Sequence, residues 1–414
     1  MYPGIHNFSE IGKLNKVLLH KPGLELEALT PTTMERLLFD DIPFLKIAQE
    51  EHDIFTKILE DNGVEVIFYV DETAKALADA KIRTQFINEF LDLSDVKAAG
   101  LRESIIEFLM SMEPDKMVAK LIAGVKKTDL RHHEEVTSLY DIIENDYPFV
   151  SDPMPNLYFT RDPGACVGNG LNLHHMSTPA RRREALFLKY MFKYDRDFAT
   201  EDNKLWYDIY EDYSIEGGDV LVLSKDVVAI GLSQRTTVDG IERFAKNLLP
   251  NSDYKKILVF DIPKSRAFMH LDTVFTMIDY DKFTIHPEIE GPLSVYEITL
   301  GANNELKFNA VKEELNKVLA RELNILREHL HLDHVTLIKC GGGSVIDAAR
   351  EQWNDGSNTL CIAPGTVVTY ERNYVSNELM EKKGIKVLTM PSSELSRGRG
   401  GPRCMSCPVN RDDL

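Results

Sequence analysis

The sequence predicts an α/β fold that is interrupted, after its first unit, by a helical domain. Strand-like and helix-like runs alternate near the start, a continuous helical pattern follows, and the alternation resumes after Pro148. A chain of 414 residues with 43% hydrophobic residues can bury one large core or two unequal ones. We therefore expect one α/β domain from residues 1–72 and 148–414, with residues 73–147 inserted as a helical bundle.

The first unit has the pattern strand, helix, strand. The segments KVLLH (16–20) and VEVIFYV (64–70) have the composition of short strands. Between them, the sequence predicts a helix from Phe44 to Asn62. It ends at Gly63, a residue type that commonly follows a helix C-terminus.

The predicted insert has a different character from the first unit. From about Asp71 to Tyr147, Ala, Leu, Glu and Lys dominate, and apolar residues recur every three or four positions. Only Gly100, Pro114 and Gly124 interrupt this pattern. The segment is therefore expected to form several helices.

Strand signals return after Pro148, and helical stretches separate some of them. The predicted strands are 220–224, 227–232, 256–262, 274–279, 334–340 and 386–391, and the predicted helical stretches lie near 181–195 and 307–329.

Charge and hydropathy exclude several classes of partner. The chain has 66 acidic and 48 basic residues, a formal charge of -18, which repels phosphate backbones and argues against nucleic-acid binding. The apolar runs, such as VLVL at 220–223, are far shorter than the roughly 18 residues that span a bilayer. The first residues lack the basic and apolar pattern of a secretory signal, so a cytoplasmic location is expected.

The five cysteines form an odd set in a large chain, which favours reduced thiols. Cys404 lies in the Gly- and Pro-rich segment ELSRGRGGPRCMSCP, a plausible flexible loop for a nucleophile. A redox pair with Cys407 is the first alternative, but the few residues after it include Pro408 and leave no room for a helix. A zinc site is the second, but neither Cys340 nor Cys361 belongs to another CxxC, so no metal is expected.

Polar candidates occur at a regular spacing. Asp162, Glu216 and His270 are separated by 54 residues each, which is consistent with a repeated unit or with chance. Asp272 follows His270 by two positions, so a strand there would place both side chains on one face. Taken singly, each segment has a simpler interpretation. The Asp162 segment is consistent with a turn containing an ion pair, and Glu216 and Asp219 indicate only a β-turn. For His270 and Asp272 in isolation, a structural histidine beside an exposed aspartate is favoured.

Four segments together resemble the signature of the arginine deiminase family, in the guanidine-modifying or pentein superfamily. They are NLYFTRDP, IEGGD, HLDTVF and RGRGGPRCMSCP, in this order over 156–408, and LNKVLLHKPGLELEALTP resembles the family's opening. The resemblance implies a five-bladed, pseudo-symmetric propeller of ββαβ units, with a helical insert after the first unit.

The resemblance also implies roles for individual residues. Cys404 would be the nucleophile, His270 would transfer protons, Asp162 and Asp272 would bind the guanidinium, and Glu216 would assist them. The implied substrate-binding residues are Asn156, Phe159, Arg181 (rather than Arg182 or Arg183), Arg235 and Arg399. Some members have His before the nucleophile, where this chain has Arg403.

The implied reaction hydrolyses L-arginine to L-citrulline and ammonia through a thiouronium on Cys404, without metal or organic cofactor. A guanidinium is a planar cation, and two carboxylates suit it. The same carboxylates should raise the pKa of the thiol, and the bound cation should lower it. The alternatives are hydrolysis of agmatine or methylarginine, amidino transfer, and a sensor that binds arginine without reaction. A homo-oligomer, a dimer or tetramer, is expected.

Overall fold

The computed structural model describes residues 3–130, 147–290, 293–311 and 325–414. Short strands and helices alternate over most of these residues. The helices are α1 (Leu24–Glu27), α2 (Leu45–Asp61), α3 (Tyr69–Ala76), α4 (Ala80–Leu93), α5 (Ala99–Met110), α6 (Pro114–Ala123), α7 (Glu184–Tyr194), α8 (Val238–Leu248), α9 (Val345–Trp353) and α10 (Tyr374–Lys382).

The strands are mostly three to six residues long, as expected for a chain rich in turns. They are β1 (Leu14–Leu19), β2 (Glu65–Phe68), β3 (Val125–Lys126), β4 (Phe149–Ser151), β5 (Gly164–Val167), β6 (Gly170–Leu173), β7 (Lys204–Tyr207), β8 (Val220–Val222), β9 (Val227–Leu232), β10 (Lys256–Asp261), β11 (Phe275–Met277), β12 (Lys282–Ile285), β13 (Ser294–Leu300), β14 (Leu306–Ala310), β15 (Thr336–Lys339), β16 (Leu360–Ala363), β17 (Thr366–Tyr370), β18 (Lys386–Met390) and β19 (Cys407–Arg411).

Five of the six sheets in the described residues repeat one pairing pattern. In each, a central strand pairs antiparallel with one neighbour and parallel with the other. The five three-strand groups are β19-β1-β2, β5-β6-β7, β8-β9-β10, β11-β12-β15 and β16-β17-β18, and β13 and β14 extend the third. The pattern therefore occurs along the chain except in the mainly helical part.

The two ends of the chain meet in one sheet. Strand β19 pairs antiparallel with β1, with Leu18 opposite Cys407, and β1 pairs parallel with β2. Cys407 therefore begins a buried strand, which excludes the strand-to-helix geometry of a thioredoxin-like CxxC. The same pairing fixes the position of the loop that precedes β19.

Helix α8 shows how local sequence produces these elements. Thr237 caps its N-terminus, because the Thr237 hydroxyl accepts a 3.2 Å hydrogen bond from the Gly240 N–H. Ile241, Phe244 and Leu248 recur at helical spacing and are buried against the sheet. The helix thus covers one face of β8-β9-β10.

Helices α3 to α6 follow β2; α4 to α6 lie within the predicted insert, and α3 begins before it, at Tyr69. Their apolar faces share a core with α7, where the Phe86 and Phe187 rings meet edge to face with centroids 5.1 Å apart. The boundaries of the inserted domain, residues 73 and 147, stay a prediction, and part of it lies outside the described residues. None of the helices among the described residues has the length and apolar character needed to cross a membrane.

The predicted helical stretch 307–329 is wrong at its start. Residues Leu306–Ala310 form β14, which pairs antiparallel with β13 at the edge of the sheet. Most residues of this strand are exposed, and an edge strand tolerates polar residues such as Lys307 and Asn309. Residues 312–324 of the prediction lie outside the described residues.

Candidate active site

The five predicted catalytic side chains come together, although their segments are far apart in the sequence. Cys404, His270 and Asp162 line one small cavity of about 30 Å³. Asp272 lies beside Cys404, and Glu216 lies behind His270. All five predicted substrate-binding residues also line this cavity, namely Asn156, Phe159, Arg181, Arg235 and Arg399, together with Leu38, Met269, Thr273 and Gly398.

The loop before Cys404, predicted to be flexible, is closely packed in the structure. A Cβ at Gly400 would overlap the Phe159 ring, and one at Gly401 would lie 2.6 Å from the Asn358 carbonyl oxygen. Arg399 adopts a left-handed conformation with φ of 62°. The glycines therefore serve close approach of the backbone rather than mobility.

The Cys404 sulfur is buried among carboxylates. Its side chain is 3% exposed, and Sγ lies 3.8 Å from Asp272 Oδ2. Burial raises the pKa of the Cys404 thiol well above its ordinary range, and the charges of Asp272 and Asp162 raise it further. The thiol is therefore neutral in the empty site at neutral pH.

His270 lies between two carboxylates. His270 Nε2 donates to Glu216 Oε2 at 2.8 Å, and His270 Nδ1 lies 3.7 Å from Asp162 Oδ1. Burial alone would lower the pKa of His270, but Asp162 and Glu216 outweigh it and raise the pKa to about 9. His270 is therefore an imidazolium at neutral pH, ready to donate a proton.

Glu216 is held as a carboxylate. Burial opposes its charge, but Arg235 and His270 lower the pKa of Glu216 below its ordinary value. Glu216 Oε1 accepts hydrogen bonds from the Ser177 N–H at 2.9 Å and the Ser177 hydroxyl at 2.7 Å. Because both of its oxygens already accept hydrogen bonds, Glu216 can orient His270 and keep it protonated but has little capacity to bind a ligand.

Asp162 and Asp272, the carboxylate pair, each keep one oxygen free. Asp162 Oδ2 accepts from Arg181 Nη1 at 2.6 Å, and Asp272 Oδ2 accepts from Arg403 Nη1 at 2.7 Å. Both Oδ1 atoms are buried and have no hydrogen-bond partner among the described residues. Two buried free acceptors near one thiol are suited to a planar donor cation.

Three arginines follow one another, and only Arg181 lines the cavity. Arg181 also donates to Glu184 at 2.8 Å. Arg182 instead donates to the Met176 carbonyl, and Arg183 donates to the Ser151 hydroxyl. The structure thus places the predicted arginine, and not its neighbours, beside the carboxylate pair.

Three further predicted binding residues line the same cavity. The Asn156 amide donates to the Leu37 carbonyl at 2.7 Å, and Arg235 Nη1 donates to the Thr178 hydroxyl at 3.2 Å. Arg399 lies over the Trp353 ring, 3.4 Å from its centroid. Its Nε and Nη1 have no hydrogen-bond partner among the described residues, so this guanidinium keeps donors for a ligand.

Arg403 and Glu10 were missed as site residues by sequence reasoning. Arg403 Nε donates to Glu10 Oε2 at 3.0 Å while its Nη1 binds Asp272. Burial opposes the charge of Glu10, but Arg403 and Arg161 lower the pKa of Glu10 to about 2. Arg403 thus acts on Cys404 through Asp272. Its position beside the nucleophile was a signal for its role, but no local pattern identified Glu10.

His174 is a buried histidine that contacts the segment carrying Asp162. Its side chain is fully buried, and Nδ1 donates to the Asp162 carbonyl at 2.6 Å. Burial lowers the pKa of His174 to about 4, so it stays neutral. It supports the backbone that carries Asp162.

Ligand atoms of Asp162, Glu216 and His270 lie within 4.8 Å of one another and could hold a metal ion by distance. His270 Nε2, however, already donates to Glu216, which leaves Nδ1 and the free Asp162 oxygen facing the cavity. The site combines a thiol, a proton donor and free carboxylate oxygens, the groups needed to attack and protonate a cationic amidine.

Comparison with known proteins agrees with this geometry. The family model described as "Arginine deiminase" matches residues 35–411. The chain is 54% identical over 411 residues to an arginine deiminase of Clostridium perfringens, covering 98% of each chain. It is 51% identical over 413 residues to an arginine deiminase of Streptococcus pneumoniae, covering 99% of each.

Solved structures show the fold. An amidinotransferase of saxitoxin biosynthesis from Microseira wollei superposes with a TM-score of 0.52 at 13% identity, covering 99% of this chain and 98% of that one. A dimethylarginine dimethylaminohydrolase variant from Pseudomonas aeruginosa, in complex with citrulline, gives 0.51 at 13% identity, covering 95% and 99%. The fold is therefore the pentein fold of these enzymes, as predicted.

Proposed function

Because the chain belongs to the arginine deiminase family, we propose that it hydrolyses L-arginine to L-citrulline and ammonia through a covalent intermediate on Cys404. One observation carries the proposal. The Cys404 thiol, the His270 imidazolium and Asp162 line one buried cavity, and Asp272, which also keeps one oxygen free, lies beside the Cys404 sulfur.

Binding comes first in the proposed reaction. The substrate guanidinium donates to the free Oδ1 atoms of Asp162 and Asp272. Its positive charge then stabilises the thiolate of Cys404, offsetting the carboxylates that keep the free thiol protonated. Nucleophile ionisation is thereby coupled to the arrival of a cation.

The thiolate then attacks the guanidinium carbon to form a C–S bond. His270 donates its proton to one nitrogen, the C–N bond breaks, and ammonia leaves a thiouronium on Cys404. A water next gives a proton to the neutral His270 and attacks the same carbon. The C–S bond breaks, the proton on the added oxygen passes to the sulfur as citrulline leaves, and the thiol is restored. With the original thiol proton released to solvent, the arginine cation and water give citrulline, ammonia and one proton.

We propose that Arg235, Asn156 and Arg399 recognise the amino-acid end of the substrate. Arg235 is 13% exposed and close enough to the cavity to bind a carboxylate, with Asn156 and Arg399 beside it. Arg181 is already engaged by Asp162 and Glu184, so its proposed part is to fix Asp162. This arrangement favours arginine over agmatine, which lacks the carboxylate.

The repeated sheet pattern supports a finer description of the fold. We propose that the five three-strand groups are the blades of a pseudo-symmetric propeller of ββαβ units, with residues 73–147 as a helical insert in the domain formed by 1–72 and 148–414. A homo-oligomer, dimer or tetramer, and a cytoplasmic location stay predictions.

Citrulline and ammonia assays on the purified protein test the function. The parent and Cys407→Ser should release both products, and Cys404→Ala should release neither while keeping the far-UV spectrum and melting temperature of the parent. Arginine binding without products in the parent would instead favour the sensor, and faster turnover of agmatine would favour a different guanidine hydrolase.

A further inference from the structure

Asn358 connects the nucleophile to the carboxylate pair. This buried side chain lies between two segments that are far apart in the sequence. Its Oδ1 accepts a hydrogen bond from the Cys404 backbone N–H at 3.0 Å, and its Nδ2 donates to the Asp272 carbonyl at 3.2 Å. A single amide therefore sets the relative position of the two backbones.

The orientation of this amide is determined by its partners. A backbone N–H can only donate and a carbonyl can only accept, so a flipped amide would lose both bonds. The chain on either side of Asn358 is also fixed, because Thr276 Oγ1 donates to the Ser357 carbonyl at 2.8 Å and lies 2.9 Å from the Thr359 hydroxyl. The amide is thus held rigidly against β11.

Asn358 also shapes the glycine loop. A Cβ on Gly401 would lie 2.8 Å from the Asn358 side-chain oxygen and 2.6 Å from its carbonyl oxygen. The backbone before Cys404 therefore rests on Asn358 without a side chain between them. This contact helps to place Sγ at 3.8 Å from Asp272 Oδ2.

We propose that Asn358 is a positioning residue that sets the distance from the Cys404 sulfur to the guanidinium carbon bound by Asp272. This inference rests on the proposed hydrolysis of arginine. Asn358 touches the backbones of both residues and does not line the substrate cavity. Its loss should therefore slow the attack on the guanidinium carbon much more than it weakens binding.

The test compares Asn358→Leu and Asn358→Asp with the parent. Leu removes both hydrogen bonds, and a misplacement near 1 Å should slow formation of the Cys404 adduct about 100-fold in acid-quenched single turnovers. Arginine affinity, measured by calorimetry in the Cys404→Ala background, should stay close to that of the same background with Asn358. Asn377→Leu is the matched control, because this buried amide also accepts from a hydroxyl (Thr369) and donates to a carbonyl (Tyr370).

The Asn358→Asp variant adds a readout that a merely structural role would not produce. When protonated, the carboxyl introduced by this substitution accepts and donates like the amide, whereas its carboxylate form only accepts. The adduct rate of the variant relative to the parent should therefore rise as the pH falls, and that of Asn358→Leu should not. This variant also keeps the test valid if the Leu variant does not fold.

Three results would overturn the inference: a Leu variant with the parent adduct rate, equal losses in binding and adduct formation, or no gain by the Asp variant at low pH. A parent that forms no citrulline would instead refute the proposed function. The two failures are therefore distinguishable.

Discussion

Replacement of Asp272 by Asn separates the reactivity of the free thiol from catalysis. Asp272 Oδ2 lies 3.8 Å from Cys404 Sγ. At an effective dielectric near 20, two unit charges at about 4 Å interact by about 4 kcal/mol, which corresponds to a pKa change of about 3. Arg403 neutralises part of the Asp272 charge, so we expect the pKa of Cys404 to fall in Asp272→Asn by less than this full interaction implies.

The assay is the rate of Cys404 alkylation by iodoacetamide as a function of pH. Peptide mass spectrometry assigns the label to Cys404 rather than to the other four cysteines. The midpoint should move to lower pH in Asp272→Asn, while citrulline formation falls because one half of the carboxylate pair is lost. Asp279→Asn is the control, since Asp279 pairs with Lys282 in another part of the fold.

An unchanged or higher midpoint in Asp272→Asn would refute the claim that this carboxylate suppresses thiolate formation. Retained citrulline formation would refute its role in binding the guanidinium. Asp272→Asn should therefore have a Cys404 thiol that ionises more easily and should also form citrulline more slowly.

Three further predictions follow from the same contacts. In Glu216→Gln, the pKa of His270 should fall from about 9, because Asp162 then opposes the effect of burial without Glu216, so the alkaline limb of the pH–rate profile should move to lower pH. A histidine pKa that is raised in the folded state stabilises the fold below pH 6.5, and this contribution is lost as the pH rises through about 9. In urea titrations, the free energy of unfolding should therefore fall less over this interval in Glu216→Gln than in the parent. Equal falls in the two proteins would contradict the assignment. Arg235→Gln should cost arginine roughly 2–5 kcal/mol in kcat/KM and agmatine much less, the remaining effect on agmatine coming from the contact of Arg235 with Glu216, and equal effects on both would show that Arg235 does not bind the carboxylate. Gly400→Ala should lower kcat because its Cβ overlaps the Phe159 ring, whereas Gly343→Ala, where a Cβ has open space, should behave like the parent in the citrulline assay.

Much of the fold could be predicted from local sequence. The helix predicted from Phe44 to Asn62 matches α2, and the strands at 227–232 and 256–262 match β9 and β10. These predictions succeed because the apolar residues that define each pattern are the ones that the fold buries. The edge strand β14 was predicted as helix, because its hydrogen bonds to β13 rather than its own composition determine its structure.

The prediction that a strand places His270 and Asp272 on one face is wrong. His270 is extended, but residues Leu271–Thr273 form a 3-10 turn, and β11 begins only at Phe275. Both side chains are buried at the site because the turn, rather than a period of two, directs them.

The supporting residues could not be found from sequence. Glu10 reaches Arg403 across 393 positions, and Asn358 reaches Cys404 across 46. Neither lies in a motif with a chemical signature of its own. Such contacts depend on the closure of β19 onto β1 and on the packing of neighbouring sheets, which only the folded chain specifies.

Trapping of the intermediate tests the central claim most directly. Enzyme mixed with excess arginine is quenched in acid within one turnover, digested and analysed by mass spectrometry. We predict that the peptide containing Cys404 gains the mass of arginine less ammonia, and that the adduct disappears as citrulline forms. Citrulline production without any adduct on this peptide, or with the adduct on Cys407, would contradict the account.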